Sequence, residues 1–217
     1  MSKPAKRGPF ITLEGGEGAG KSVQARRLAD ALTARGHTVT LTREPGGTPS
    51  AEAIRTLLVT GAPGRWTPEA EALLFSAARA EHLARLIRPR REAGDWVICD
   101  RFADSTRAYQ GAGGAVPEAF INTLNALVVG TDGPDLTLIL DLDVELGLQR
   151  AQSRAEADGS AETRFEQFDR AFHQRLRAAY RQIAAEEPQR CVIIDASGDA
   201  ETVQAAIWAV VQTRLSA

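Results

Sequence analysis

The sequence predicts an α/β domain, a five-stranded parallel sheet with helices on both faces. Three observations carry this expectation. Short apolar runs alternate with longer stretches whose apolar residues recur at helical spacing. The short runs are apolar or β-branched along their length, with no alternation, as strands covered on both faces are. The first run leads into a glycine-rich loop and then a helix, a strand–loop–helix unit.

The elements follow in order. Met1 to Gly8 is basic, and no hydrophobic stretch of signal-peptide type follows it, so residues 1–8 read as a disordered tail. Phe10-Ile-Thr-Leu13 is the first strand, and Val23, Leu28, Ala31 and Leu32 mark a helix running to about Arg35, with Gly36 after its end. Thr38-Val-Thr-Leu-Thr42 is the second strand. The turn-rich segment Arg43-Glu-Pro-Gly-Gly-Thr48 and a short helix over 51–58 come next. Thr67-Pro68-Glu69 starts a helix with a capping hydroxyl, a proline in the first turn and an acid; Pro89 should stop it after Arg88. Trp96-Val-Ile-Cys99 delivers Asp100 and Arg101 at its C-terminal end, before a loop or short helix that carries Ser105 to Gln110. Pro117 opens a helix to about Val129, and Leu136-Thr-Leu-Ile-Leu140 is the fourth strand. Helices are expected over 144–155 and 165–185, then the fifth strand at Cys191-Val-Ile-Ile194 and a last helix ending near Arg214. No repeat, low-complexity tract or long linker divides residues 9–217, which read as one domain.

Bulk properties exclude several classes. At 217 residues, 43% hydrophobic and 25% charged, the chain is an ordinary globular one with length enough for a core. A net charge of −2 argues against a broad nucleic-acid surface. No apolar run approaches the ~18 residues of a membrane span. Cys99 and Cys191 stand in apolar runs without metal-ligand spacing, and read as buried thiols of a reducing compartment, the cytoplasm.

Gly15-Gly-Glu-Gly-Ala-Gly-Lys-Ser22 fits the phosphate-loop pattern G-x-x-x-x-G-K-[ST], which chance supplies in about one chain in a hundred of this length. Backbone N–H groups of Gly15, Gly16, Glu17, Gly18, Ala19 and Gly20 are candidates to cradle phosphate oxygens, aided by the dipole of the helix that follows. Lys21 can reach the outer phosphates, and the Ser22 hydroxyl can ligate Mg²⁺. Only three lysines stand against 23 arginines, and Lys21 is the only one outside the tail, as fits a site needing a compact point charge. The alternative is a flexible glycine-rich turn. Arg43, Asp100, Arg101 and Asp141 fall at strand C-termini, where such sheets bind ligands. No base-reading [NT]-K-x-D segment is present, and the one D-x-x-G, at 195–198, follows the last strand. The loop alone does not choose among switches, motors and kinases; few histidines and no nucleophile–base pair are present, and a kinase acting on an already anionic acceptor needs none, since alignment and charge neutralisation suffice.

In this setting the chain resembles the bacterial type of thymidylate kinase, within the nucleoside monophosphate kinase group. The matching segments are Glu14 to Ser22, Thr42-Arg-Glu-Pro-Gly-Gly-Thr48, Leu74-Phe-Ser-Ala-Ala-Arg79, Asp100-Arg-Phe102, Ser105-Thr-Arg-Ala-Tyr-Gln110, Pro134-Asp-Leu-Thr-Leu138 and Arg164-Phe-Glu166, nearly spanning the chain. The resemblance implies a P-loop NTPase-type three-layer fold with a lid at about 150–164. It implies a homodimer and transfer of the γ-phosphoryl group of ATP to dTMP with Mg²⁺. Phe75 and Arg79, four apart on one helical face, would stack on the base and reach its carbonyl; otherwise they are a core Phe and a solvated Arg. Thr106 and Gln110 would offer the base neutral hydrogen bonds, or be solvated. Glu17 would meet the acceptor's sugar hydroxyl and phosphate, and Arg101 and Arg43 its phosphate. Asp100 would join Ser22 at the metal, unless it is a structural ion pair. Gly18 holds a loop position where some relatives carry arginine. The catalytic arginine is then expected from the lid: Arg154 first, with Arg164 and Arg150 as alternatives. Val23 and Thr163 depart from the family pattern. Rival readings are a kinase for another nucleoside monophosphate and a non-catalytic nucleotide-dependent switch.

Overall fold

Five strands form one parallel sheet: β1 (Phe10–Gly15), β2 (Val39–Arg43), β3 (Trp96–Asp100), β4 (Leu136–Asp141) and β5 (Cys191–Asp195), in the spatial order β2-β3-β1-β4-β5. The computed structural model describes residues 7–62, 64–158, 164–165 and 168–216. The predicted fold class is observed. The three inner strands are buried nearly throughout, whereas the edge strands β2 and β5 are only partly covered, which is why Thr and exposed Leu41 and Ile193 are tolerated there.

Alternation along β1 divides its side chains between two cores. Ile11 and Leu13 pack with Leu28 and Leu32 of α1 (Lys21–Thr33) and with Val203, Ile207 and Val211 of α9 (Ala200–Leu215). Phe10, Thr12 and Glu14 face the other side, which α8 (Arg170–Glu186) covers with Leu176, Tyr180 and Ile183. Two buried hydroxyls, Thr12 and Thr137, satisfy each other there at 2.9 Å. Arg7 and Gly8, expected in the tail, bond to the body: Gly8 N–H donates to the Arg91 carbonyl at 2.8 Å. Residues 1–6 lie outside the described residues.

The helix start read at Thr67 is observed, and two further helices open on side-chain caps at positions other than the expected starts of 51 and 165. Thr48 caps α2 (Pro49–Val59), Thr67 caps α3 (Pro68–His82), and the Asp169 carboxylate accepts from Phe172 N–H at 2.7 Å to open α8. That cap sets the start of α8 at Arg170, so Phe165 and Phe168 precede the helix expected from 165. Pro89 does not end the helix after α3. A π-helical turn over Leu83–Ile87 widens the backbone, and α4 (Arg88–Glu92) continues through the proline. A second π-helical turn, Arg107–Gly113, extends the short α5 (Ala103–Thr106). α6 (Glu118–Val128) and α7 (Val144–Asp158) complete the chain. The lid expected at 150–164 is described only at its two ends, up to 158 and at Arg164.

Candidate active site

The C-terminal strand ends meet around a cavity of about 380 Å³. Lining it are Glu17, Gly18, Gly20, Lys21, Ser22, Arg43, Phe75, Arg79, Asp100, Arg101, Thr106, Gln110 and Arg154, so side chains from 17 to 154 in the sequence share one hollow. Gly15, Gly16 and Ala19 do not line it; the first two border a small second cavity behind the loop, and Ala19 is buried.

The loop's shape rests on its glycines. Gly18 has φ +66, and a Cβ there would lie 2.0 Å from the Gly147 carbonyl oxygen in the first turn of α7. An arginine at position 18 would therefore collide with backbone, not just fill space. Gly20, at φ +87, turns the chain into α1. Lys21 is nearly buried and donates to the carbonyls of Gly15 (3.1 Å) and Gly16 (2.6 Å). Burial and the nearby Arg101 guanidinium push its ammonium down to about 8, against the pull of Glu17 and Asp100.

Arg101 is the hub. Its own backbone is left-handed, φ 70, the uncommon conformation for a residue with a side chain, and the Leu13 carbonyl holds its N–H at 2.9 Å. The guanidinium donates to the Gly15 carbonyl (3.1 Å), Ser105 (3.2 Å), Tyr180 (3.3 Å), Tyr109 (2.8 Å) and the Glu17 carboxylate (2.9 Å). Tyr109 also donates to Glu17 at 2.6 Å. Burial alone would raise the Glu17 carboxyl, but Arg101, Lys21 and the Tyr109 hydroxyl outweigh it and hold it at about 2. Glu17 is thus an acceptor at neutral pH, not an acid. Beneath it, Glu14 accepts from Phe102 N–H (2.8 Å), Ser105 N–H (3.2 Å), Ser105 hydroxyl (2.6 Å) and Tyr180 hydroxyl (3.0 Å). Burial and repulsion from Asp104 push the Glu14 carboxyl up to about 7, against the Ser105 bond and the Arg101 charge.

At the other end of the cavity Arg79 is buried, not solvated, and Phe75 is half-buried at the wall, 6.2 Å from the Phe165 ring. Arg79 donates from Nε to Glu44 (2.8 Å) and from Nη2 to the Phe102 carbonyl (3.1 Å) and Thr106 hydroxyl (3.0 Å). Its Nη1 is buried with no partner among the described residues. Glu44 is anchored in turn by His82 Nδ1 at 3.0 Å, and His82 Nε2 lies 2.8 Å from the Thr42 hydroxyl. Gln110 donates its Nε2 to Glu71 at 2.8 Å. At the mouth, exposed Arg43 donates to Glu52 at 3.2 Å, and Arg55, which sequence reasoning missed, adds another cation to the lining.

The three arginines of the lid expectation separate. Arg154 is exposed on α7 and lines the cavity. Arg150 donates to the carbonyls of Ala196 (3.1 Å) and Ser197 (3.2 Å), away from it. Arg164 is buried, paired with Glu71 and bonded to the Leu58 carbonyl at 2.8 Å. Both are committed to structural partners, which sequence spacing could not reveal. Missed as well were Glu14, Glu44, Glu71, Tyr109 and Tyr180; only their place inside the quoted segments marked the first, second and fourth.

Ser22 donates its hydroxyl to the Asp100 carboxylate, so two hard oxygens stand together at the loop. Among the described residues no group of three or more His, Cys, Asp or Glu gathers to hold a metal. The oxygen pair fits Mg²⁺, which takes few protein ligands and fills its shell with phosphate oxygens and water.

The family model for thymidylate kinase matches residues 13–207. The thymidylate kinase of Caulobacter vibrioides is 58% identical over 209 residues, 96% of this chain and 98% of that protein. That of Bradyrhizobium diazoefficiens is 51% identical over 215 residues, 99% and 93% of the two chains. The crystal structure of thymidylate kinase from Ehrlichia chaffeensis, 33% identical, aligns with a TM-score of 0.77 over 95% of this chain and 100% of that one. A phosphate loop facing a buried arginine across one cavity, in a chain matched over this length, leaves no other assignment: this protein belongs to the thymidylate kinase family.

Proposed function

We propose that this protein transfers the γ-phosphoryl group of ATP to dTMP, giving dTDP and ADP. The observation that carries the reading is the cavity joining the phosphate loop to Arg79, whose buried Nη1 has no partner among the described residues. A buried guanidinium nitrogen without an acceptor is costly, and a base carbonyl would satisfy it.

In this reading Phe75 stacks on the base and Arg79 donates to its carbonyl. Arg101 and Arg43 bind the acceptor phosphate. Arg101 is already fixed by five hydrogen-bonding groups, so little freedom remains to be lost when a phosphate binds. Glu17, held anionic, accepts from the acceptor's sugar hydroxyl. Loop N–H groups and Lys21 hold the donor's phosphates, Lys21 giving up its bonds to the Gly15 and Gly16 carbonyls as it does so. Arg154 neutralises charge on the transferring group from the lid. Ser22 and Asp100 would hold Mg²⁺, which when bound offsets the charge of the donor's phosphates. Catalysis is then alignment and charge neutralisation, and no side chain needs to act as nucleophile.

The cytoplasm is the proposed compartment, because Cys99 and Cys191 are buried free thiols, the latter pushed up to about 12 by burial. A homodimer is proposed from the resemblance, and exposed Leu73 on α3 and Leu127 on α6 offer apolar surface for it.

The deciding experiment is ADP release from ATP and Mg²⁺ across a panel of nucleoside monophosphates, with the solution mass of the same preparation. Selective turnover with dTMP and a doubled chain mass are expected. Preference for another monophosphate would discard the base pocket, and ATP binding without acceptor-dependent turnover would discard the kinase.

A further inference from the structure

Glu71 is buried, and its two carboxylate oxygens are divided between two partners. Oε2 pairs with Arg164, which is itself bonded to the Leu58 carbonyl in the last turn of α2 and to the Ala62 carbonyl beyond it. Oε1 accepts from Nε2 of Gln110 at 2.8 Å. A carboxylate paired with a guanidinium has only lone pairs to offer, so the Gln110 group facing it is the NH₂. The amide is planar, and its oxygen is therefore the end left for a ligand. Gln110 is buried and lines the same cavity as Arg79, whose Nη1 is an unpartnered donor.

We infer that Glu71 is a specificity-positioning residue: by holding the Gln110 amide one way round, it makes the pocket present an acceptor beside a donor. This rests on the base-pocket reading proposed above. An imide edge such as that of thymine offers N3–H and a carbonyl, and matches this pair. Cytosine offers a lone pair and an amine at the same places, so both contacts are reversed. An amide free to turn would accept either edge from its own side, leaving Arg79 alone to discriminate. The link to Arg164 also ties this orientation to the segment that follows the lid.

The test compares KM and kcat for dTMP and dCMP, at saturating ATP, in the wild type, Gln110→Leu, Glu71→Gln and Glu71→Asp. Gln110→Leu reports on the pocket reading alone and is expected to narrow the preference for dTMP through KM. Glu71→Gln offers Gln110 an amide that can face it with either end. Its KM for dTMP should rise about tenfold, the worth of one hydrogen bond, while KM for dCMP falls and kcat for dTMP stays within about threefold. Glu71→Asp keeps the Arg164 pair with the carboxylate drawn back, and gives an intermediate shift if the Gln variant does not fold. Suppose Gln110→Leu narrows the preference but both Glu71 variants keep the wild-type ratio, or lose both nucleotides in parallel. Glu71 is then only an anchor for Arg164, and the inference is overturned. No effect of Gln110→Leu would instead remove the pocket reading, and the inference with it.

Discussion

Arg79 shows how much one side chain can be asked to do. It satisfies Glu44, the Phe102 carbonyl and the Thr106 hydroxyl while holding one nitrogen back. Truncation to alanine should therefore be read on two scales. Glu44 would keep only His82, and breaking a buried ion pair by removing one partner costs about 3–5 kcal/mol, so the melting temperature should fall. The site effect is separate. KM for dTMP is expected to rise about a hundredfold, with KM for ATP nearly unchanged, because a charged hydrogen bond to the base is lost and none to the donor. Equal effects on both substrates would sink the base assignment. The spacing of Phe75 and Arg79 was legible, since two residues four apart on a helix share a face whatever surrounds it. Glu44, 35 residues upstream, was not: its role depends on the closing of the sheet, which no local pattern encodes.

Among elements, the phosphate loop and α7 meet backbone against backbone. Gly18 and Gly147 face each other's backbones, and a Cβ on Gly147 would stand 2.6 Å from the Glu17 carbonyl oxygen. Gly147→Ala should push the loop off its seat without unfolding a helix that accepts alanine readily. We expect KM for ATP to rise about tenfold with the far-ultraviolet spectrum unchanged; an unaltered KM for ATP would show that the loop holds its shape without α7. The loop itself was legible because consecutive residues specify it, and so was the cap Thr67, whose signal spans three residues. The helix continuing through Pro89 was not. A proline reads locally as a stop, and only the π-helical turn at Leu83–Ile87 explains why it does not act as one. Arg164 failed for the related reason that its carbonyl partners lie about a hundred residues earlier.

At the C-terminal end of the central strand β1, two carboxyls pull the stability of the whole molecule in opposite directions with pH. Glu17 is held at about 2, below its usual value of 4.5, so its contribution is present above 4.5 and lost as pH falls toward 2. Glu14 is raised from 4.5 to about 7 by burial and Asp104, which is the reverse case. Below pH 4.5 it is protonated folded or unfolded and costs nothing. As pH rises from 4.5 through 7 the folded protein must hold a buried charge, and stability falls by about 3 kcal/mol. Of the two, Glu14 sets the direction between pH 4.5 and 7, weakening the fold as pH rises. Glu14→Gln isolates the second effect. A glutamine oxygen can still accept from Phe102 and Ser105 N–H, and its amide can donate to the Ser105 and Tyr180 hydroxyls. In that variant the melting temperature should stay level between pH 5 and 7.5, where the wild type loses several degrees. If the wild type shows no such decline, Glu14 is ionised at little cost, and the four donors around it, not its proton, are what keep the strand end in place beneath Arg101.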